Sequence, residues 1–503
     1  MKRGRSLILL GIGILGSAIL GAITPTWAQT TPPVPTTPPP ITPSTTTLDL
    51  TLPQLITLVI EGNRDLRNQT LNRIVQQQEL REAERRFAPD FTPRLSFEAT
   101  QQLSRTQTFG LEETDRTTTD ESLLMTGEML TRIGTTIRID LDPIDDEQPL
   151  QLTLRQPLLR GFGRRVNEAP VEQARIGDQR GQLALQQEAI ATVTEAIVDY
   201  TALIQAQEAV KIQADALARR QAQYDFIAAL VQAGRRPTID LVEAEGNIAN
   251  AQRDLQDARN LLAQANTDLL DLIGTDRVIE FTASVESVEE LFGRSLNQVP
   301  ESDETVLIET AYARRPDYRI AQLAIEAERL GLIVATNNRR WQLDLEGSGT
   351  LGDTSDASVG LVLTREFTDE SLETAQRRSQ VNLLQEENDL AQLTDTIRNE
   401  VVNRLGDVRS NQRRLEAAQR ATESAQLQLE ADRERFGRGR SGTTLFDLTQ
   451  REEALVTAQN AELTARIGLL NSIVELEQAI GITLDRWEAR VDFTPVFEPP
   501  DLP

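Results

Sequence analysis

Two aspartates stand at matching places in the sequence, where an anionic side chain could act in either of two ways. Asp240 and Asp447 each follow a glycine-containing turn and lie in the first turn of a predicted helix. A carboxylate at that place complements the positive end of the helix dipole. If several chains brought these turns together, the aspartates would also form a charged ring. The two roles are compatible, and both stay open at this point.

The chain lacks the residues on which most enzymatic chemistry depends. It contains neither histidine nor cysteine, and Lys2 and Lys211 are its only lysines. The commonest general base, the commonest metal ligand and the Cys- or His-based nucleophilic sites are therefore missing. A formal net charge of −25 disfavours binding to a phosphate backbone. We therefore predict no enzymatic activity, no metal, no cofactor and no nucleic-acid partner.

The turns before the two aspartates contain residues that end one helix and begin the next. The first is Gly234-Arg235-Arg236-Pro237-Thr238, and the second runs from residue 437 to residue 444 with the sequence GRGRSGTT. Glycine accommodates the positive φ of a helix C-cap, so Gly234 and Gly439 are the predicted turn glycines. Threonine is expected to cap the helix that follows each turn.

Long helices must position these turns. Residues 167–232 contain proline only at position 170, and apolar residues recur every seven positions from Leu203 to Val231. The partner helix, predicted at 238–273, has leucine or isoleucine at one heptad position and mostly alanine three places later. Small residues at such positions let helices approach closely. The second half of the chain repeats the pattern, although an ordinary coiled-coil stalk would show the same periodicity.

Four segments alternate apolar and polar residues, as half-exposed strands do. They lie near residues 95–104, 150–155, 343–351 and 359–363. A short fifth piece at 137–141 follows a Thr/Asp/Glu-rich loop predicted at 105–130. A soluble hairpin would give the same alternation. However, strand pairs separated by long helices would leave open edges within one chain, and about ten residues suit a tilted membrane-barrel strand. A barrel formed between chains satisfies both conditions.

The chain uses one unit twice. Residues 65–67 match residues 317–319 at an offset of 252, and further matches follow in the same order at offsets of 248, 209 and 207. The step from 248 to 209 lies between the two predicted strands. The first copy therefore carries about 39 additional residues at that place. Each match alone is weak, but the ordered series indicates a duplication.

The ends of the chain differ from the repeated units. Residues 1–28 contain positive residues, an apolar run and the cleavage-type sequence Thr26-Trp27-Ala28, which predicts a signal peptide. A retained membrane anchor is the alternative. The other predicted boundaries are a Pro/Thr-rich linker at 29–47, the first repeat at 48–274, a connecting segment at 275–302, the second repeat at 303–485 and a C-terminal tail at 486–503.

Taken together, these features resemble the TolC-like outer-membrane efflux family. Besides the duplicated helix–strand–strand–helix–helix unit, the resemblance rests on Gln156-Pro157-Leu158-Leu159-Arg160-Gly161-Phe162-Gly163 and covers roughly residues 48–485. It implies an α+β membrane protein whose long coiled-coil hairpins form a periplasmic α-barrel. It also implies that each chain gives four β-strands to a trimeric, twelve-stranded β-barrel in outer-membrane lipid.

The resemblance also implies a function as the passive exit duct of a tripartite efflux or type I secretion system. Such a duct is a homotrimer in the outer membrane with a periplasmic extension. It opens when a periplasmic adaptor (a membrane fusion protein) and an inner-membrane pump engage its tip. A periplasmic coiled-coil scaffold or adaptor that never enters the membrane is the alternative function, and the alternating strands favour the duct.

The family's tip carries acidic rings and an aromatic–Arg–Asp latch, and the sequence matches this pattern in part. Phe436 stands where the family has tyrosine, and Asp447 matches one acidic position. Gln450 occupies the second acidic position, and Ser441 or a neighbour falls where the latch arginine is expected. Arg438 and Arg440 are hypothetical replacements for the latch arginine. The resemblance thus gives a candidate gate, whose members are Asp240, Phe436, Arg438, Arg440, Asp447 and Gln450, with the turn glycines Gly234 and Gly439.

Overall fold

Long helices and one antiparallel sheet make up most of the described chain. The computed structural model describes residues 46–103, 115–143, 150–275, 279–283, 293, 303–352, 355–365, 370–437 and 444–492. The predicted signal peptide and almost all of the predicted linker lie outside these residues. The repeat boundaries therefore stay predictions, and the description below concerns the unit from Thr45 onward.

The helices form two sets of short and long members. In chain order they are α1 (Leu52–Gly62), α2 (Arg64–Arg85), α3 (Arg164–Asn167), α4 (Ala169–Gln232), α5 (Ile239–Ile273), α6 (Glu304–Arg314), α7 (Pro316–Asn338), α8 (Ser371–Gly437), α9 (Leu445–Ala479) and α10 (Thr483–Arg486). The longest, α4 and α8, contain 64 and 67 residues. Each therefore extends about 100 Å at about 1.5 Å per residue. α5 packs against α4, and α9 packs against α8.

The helical stretch that begins each repeat is broken in two, into α1 and α2 in the first and into α6 and α7 in the second. Asn63 and Arg315 both adopt extended backbone conformations at the breaks. The Asn63 side chain accepts hydrogen bonds from the backbone of Asp65 and Leu66, which starts α2. Arg315 precedes Pro316, and a residue before proline is driven out of the helical region. Both breaks thus have local causes that helical periodicity does not reveal.

The strands form two sheets. In chain order they are β1 (Thr46–Asp49), β2 (Asp90–Leu103), β3 (Asp115–Leu130), β4 (Thr136–Leu141), β5 (Leu150–Pro157), β6 (Ile279–Thr282), β7 (Gln342–Leu351) and β8 (Asp356–Thr364). β1 pairs in parallel with β6. The other six form one antiparallel sheet in the order β2-β3-β4-β5-β7-β8.

The prediction of four sheet strands per chain was wrong, because the insertion adds two strands. The second part of the loop expected at 105–130 is the long strand β3, and the short apolar piece at 137–141 is β4. β3 pairs with β2 on one side and with β4 on the other. Its polar residues had concealed the strand, because Thr, Asp and Glu alternate weakly against Leu and Met.

The main hydrophobic core lies where all four long helices pass the smaller elements. Leu55 of α1, Ile197 of α4, Val401 of α8 and Ile473 of α9 are among its fully buried side chains. Tyr200 is also fully buried and donates its hydroxyl to Leu50 O at 2.6 Å. This core fixes the middles of α4 and α8 against the C-terminal ends of α5 and α9, and it therefore positions both the sheet and the distant turns.

Candidate functional site

The six-stranded sheet has one apolar and one polar face. Side chains of residues that pair directly across strands lie on the same face. The register aligns Phe91, Gly127, Ile139 and Leu152 across four strands, and further along it aligns Gly347 with Val359. Leu345 pairs with Leu361 and Leu343 with Leu363 in the same way. Apolar side chains therefore follow one another across the whole sheet.

This apolar face is exposed. Its most exposed members are Val359 at 80%, Phe91 at 75%, Leu361 at 66%, Leu95 at 61% and Leu363 at 58%. A soluble antiparallel sheet normally buries its apolar face against a core. Within the described residues, the helices of this chain do not cover it.

The opposite face carries charged and hydroxyl side chains that bond to one another. Arg138 lies 2.9 Å from Asp140, which also accepts a 2.7 Å hydrogen bond from Thr126. Arg155 lies 2.6 Å from the buried carboxylate of Asp344. Ser348 and Ser358 share a hydrogen bond of 2.7 Å between their hydroxyls. The two faces of the same strands are thus suited to different solvents.

At the far ends of the long helices, Gly234 closes the turn between α4 and α5. Its φ is +70°, and no atom lies within 4 Å of the place a Cβ would take. Arg235 donates its backbone N–H to Leu230 O at 2.9 Å, which is the bonding of a left-handed C-cap. Thr238, expected to cap α5, makes no side-chain capping bond, because its own backbone is already helical.

Asp447 lies in the first turn of α9 and forms a reciprocal cap with Thr444. The Asp447 carboxylate accepts the Thr444 backbone N–H at 2.8 Å and the Thr444 hydroxyl at 2.7 Å. The backbone N–H of Asp447 donates in turn to the Thr444 hydroxyl at 3.2 Å. These bonds from Thr444 lower the pKa of Asp447, because they favour its charged form. The arrangement supports a capping role for Asp447, and it leaves the charge in place.

Asp240 has a different partner. Arg236, in the turn before α5, lies 3.5 Å from the Asp240 carboxylate. The Arg236 guanidinium also stands 4.8 Å from the ring centroid of Phe436, which belongs to the other hairpin. A cation over an aromatic face is attracted by the ring quadrupole. An aromatic residue, an arginine and an aspartate therefore do meet here, with Arg236 as the arginine.

Phe436 is buried between the two hairpins. It is 8% exposed, and its ring centroid is 6.1 Å from that of Phe226 on α4. Gln450, by contrast, is exposed on α9. Arg438, Gly439 and Arg440 lie outside the described residues, so their proposed roles stay predictions.

A cavity of about 530 Å³ lies beside Phe436 and contains charges that the sequence did not single out. Glu452 is 2% exposed, and its carboxylate is 3.0 Å from Arg433. Arg219 faces the same cavity, where burial lowers its pKa. Its Nε and one terminal nitrogen have no hydrogen-bond partner within the part of the chain that the structure describes. Three charged groups on three helices thus meet close to the candidate gate.

Arg236 and Glu452 were missed because neither position is unusual in the sequence. Arg236 is one of two adjacent arginines in the first turn, and nothing distinguishes it from Arg235. Glu452 lies on an apolar helix face. Charged residues are almost never fully buried unless they are paired, so its placement on that face was the available signal of a buried ion pair. In the described part of the chain, no three acidic side chains converge closely enough to hold a metal ion.

No family model and no curated protein matches the chain. Among the described residues, no helix is both long and apolar enough to cross a membrane.

Solved structures do match. The outer-membrane channel OprN is 18% identical with a TM-score of 0.63, and 86% of this chain covers 89% of that one. The CmeC outer membrane channel of Campylobacter jejuni is 14% identical with a TM-score of 0.64, and 86% of this chain covers 85% of that one. The open MtrE channel of Neisseria gonorrhoeae is 16% identical with a TM-score of 0.63, and 86% of this chain covers 88% of that one. The chain therefore has the fold of TolC-like outer-membrane channels, as its sequence resemblance predicted.

Proposed function

We propose that this protein is a trimeric outer-membrane exit duct, a passive conduit that a periplasmic adaptor and an inner-membrane pump open. It performs no chemistry of its own, and its place is the outer membrane after removal of residues 1–28. The observation that carries the proposal is the exposed apolar face of the six-stranded sheet, opposite a charged face on the same strands. That pattern suits lipid on one side and a water-filled lumen on the other.

The edges of the sheet support assembly between copies. Within the described residues, β2 and β8 each pair on one side only. The chain runs from the helices into β2 and from β8 back into the helices. The two edge strands therefore run in opposite directions, and β8 of one protomer can pair antiparallel with β2 of the next. Three six-stranded sheets then close into an eighteen-stranded barrel, and closure removes every open edge. The scaffold alternative leaves both the edges and the apolar face without cover.

The helices supply the remainder of the duct. The α4–α5 and α8–α9 hairpins of three protomers together form the periplasmic tunnel, with the turns near Gly234 and Thr444 at its closed end. Arg236, Asp240 and Phe436 form the latch between the two hairpins of each protomer. Asp447 adds a ring of three carboxylates, with Gln450 about one turn further along α9. Arg438, Gly439 and Arg440 keep the gate roles predicted from the sequence.

Location and assembly can be tested directly. Cell fractions are run on gels with and without heating, and the purified protein is added to planar lipid bilayers. We expect an outer-membrane trimer that dissociates only on heating and that conducts ions. A soluble monomer in the periplasmic fraction would reject the proposal and favour the scaffold.

The absence of cysteine makes the edge pairing testable by cross-linking. Thr92→Cys on β2 is combined in turn with Ser358→Cys, Gly360→Cys and Val362→Cys on β8, all on the polar face. Oxidation should give covalent trimers for at least one pair. The matched control moves the first cysteine to Thr136 on the inner strand β4, where no trimer should form. Equal cross-linking from both positions would argue against the edge pairing.

A further inference from the structure

The apolar face of the sheet ends in a row of two arginines and a tryptophan. Leu158 donates its backbone N–H to Leu343 O at 2.7 Å, and two residues on, Arg160 donates to Trp341 O at 3.1 Å. On the other side of β7, Leu343 pairs with Leu363, and two residues beyond it Arg365 stands over the Trp341 ring at 5.0 Å. We call Arg160, Trp341 and Arg365 the rim row. It lies at the end of the sheet that adjoins the helices.

A cationic cavity of about 260 Å³ opens beside the rim row. Four arginines line it, which are Arg160, Arg339, Arg340 and Arg365. The cavity is smaller than the sites that hold drug-sized molecules. Its other lining residues are Gln342, Thr364, Leu372 and Glu373.

Among the residues that the structure describes, little negative charge compensates the positive charge of this cavity. Arg160, Arg340 and Arg365 form no ion pair with any residue that the structure describes, and Arg339 donates to the neutral amide of Gln376. Glu373, the one acidic lining residue, is bonded to Arg377 at 2.6 Å. Such a cluster is unusual in a chain with 77 acidic and 52 basic residues.

Exposed apolar side chains lie in the rim row and next to it in the sequence. Trp341 is 41% exposed, and Leu158, Leu159 and Phe162 are 38%, 41% and 47% exposed. Tryptophan is enriched where a membrane meets water, and arginine there extends its charged end towards the headgroups. The rim row therefore has the composition of a membrane boundary, and the arginine cavity adds a concentrated positive charge to it.

We propose that the rim row and its cavity bind the phosphate of an anionic phospholipid, in the leaflet on the helix side of the membrane. The proposal rests on the proposed outer-membrane location. Guanidinium groups match phosphate oxygens in pairs of parallel hydrogen bonds, which favours arginine at such a site. The acyl chains then lie along Leu158, Leu343 and Leu363 at the end of the apolar face. Free inorganic phosphate has the same charge chemistry and lacks these chains.

Trp341 is a natural reporter for the experiment. The full-length mature protein is reconstituted in phosphatidylcholine vesicles with a small fraction of phosphatidylglycerol that carries bromine on its acyl chains, which quenches nearby tryptophan. We expect quenching of Trp341 that corresponds to an enrichment of the anionic lipid of at least about fivefold, since each arginine near the surface attracts it. Trp341→Phe identifies the responding residue.

Two charge-matched variants locate the site. The variant R160Q/R340Q/R365Q should reduce quenching to the value expected from the lipid fraction alone. The control R253Q/R314Q/R420Q removes three exposed arginines of the helices and should retain the enrichment. Equal loss in both variants, or no enrichment in the native protein, would overturn the proposal. Removal of the enrichment by inorganic phosphate, where equal ionic strength from chloride has no effect, would assign the site to free phosphate instead.

A separate arm distinguishes failure of this site from failure of the proposed function. Brominated phosphatidylcholine as the only lipid should quench Trp341 in the native protein and in both arginine variants, because it reports insertion alone. If it leaves Trp341 unquenched, the protein does not enter the bilayer, and the outer-membrane duct is rejected together with the lipid site. If it quenches Trp341 while phosphatidylglycerol shows no enrichment, only the lipid site is rejected.

Discussion

An arginine in place of Val359 should destabilise the sheet in lipid. Val359 is the most exposed large apolar residue of the apolar face, at 80%. It lies six residues from Arg365. With about 3.3 Å per residue and a strand tilt of about 40°, that places it about 15 Å from the rim row, near the middle of an apolar band about 25 Å tall. An arginine at the midplane of a barrel costs about 2–4 kcal/mol of folding free energy in the membrane.

Two matched variants separate depth from face. Leu363→Arg lies on the same strand and the same face, but only two residues from Arg365, so its cost should be about 0–1 kcal/mol. Gly360→Arg is adjacent to Val359 on the opposite face. Gly360 has open space for a side chain, and it pairs with Glu346, so an arginine there should be tolerated.

The assay is urea-dependent folding into phospholipid vesicles, followed by the heat-sensitive trimer band. Protein concentration must be held constant, because the stability of a trimer depends on it. The expected order of cost is V359R, then L363R, then G360R. On the surface of a soluble protein all three changes would stay within about 0.5 kcal/mol. Equal stability of V359R and G360R would therefore refute the assignment of the apolar face to lipid.

Three further predictions concern the helices. Thr444→Ala removes half of the reciprocal cap, so local opening at the start of α9 should become easier by about 1 kcal/mol; hydrogen exchange of residues 445–448 measures it, and unchanged exchange would show that the cap is unimportant. Arg236→Ala removes the contacts with Asp240 and Phe436 and should raise the conductance of the closed trimer in planar bilayers, whereas Arg235→Ala, its neighbour, should not; equal conductance of both variants would reject Arg236 as the latch. Asp199 has its pKa raised to about 6, because burial disfavours its charge and Glu195 and Asp268 repel it. Its folded-state pKa exceeds its unfolded-state value, so the folded state binds more protons, and stability should rise as pH falls from about 7 towards 4. Asp199→Asn should remove this part of the pH dependence of the melting temperature; an identical profile in both proteins would contradict the raised pKa.

Periodicity predicted the long helices well because their lengths and apolar faces follow from sequence alone. The helices predicted at 167–232 and 238–273 correspond to α4 and α5 within a few residues. At the predicted alanine positions of α5, Ala244, Ala251 and Ala258 are buried. Periodicity failed for β3, where both faces of the strand carry polar residues and the partner strands decide the conformation. Tertiary pairing outweighs local pattern in such a strand.

The candidate gate was predictable in part. The first-turn positions of Asp240 and Asp447 followed from local sequence, since glycine ends a helix and threonine or aspartate begins one. Arg236 could not be chosen in advance, because its contact with Phe436 joins residues 200 positions apart. The same holds for the ion pair of the exposed Arg433 with the buried Glu452, because the burial of Glu452 depends on α4. Contacts between hairpins depend on how the main core sets them against each other.

The two open edges of the sheet have a consequence for how the protein is made. In the proposed duct, a single protomer can neither pair β2 and β8 nor cover its apolar face, so its sheet would gain much of its stability only when three chains meet in lipid. Folding, association and insertion are then one coupled event, and the rate of that event depends steeply on protomer concentration. Before it occurs, each monomer exposes a template for aggregation. The chain should therefore need a holding chaperone on its way to the membrane. Slow synthesis keeps the protomer concentration low, so more protomers should be lost to aggregation before they assemble.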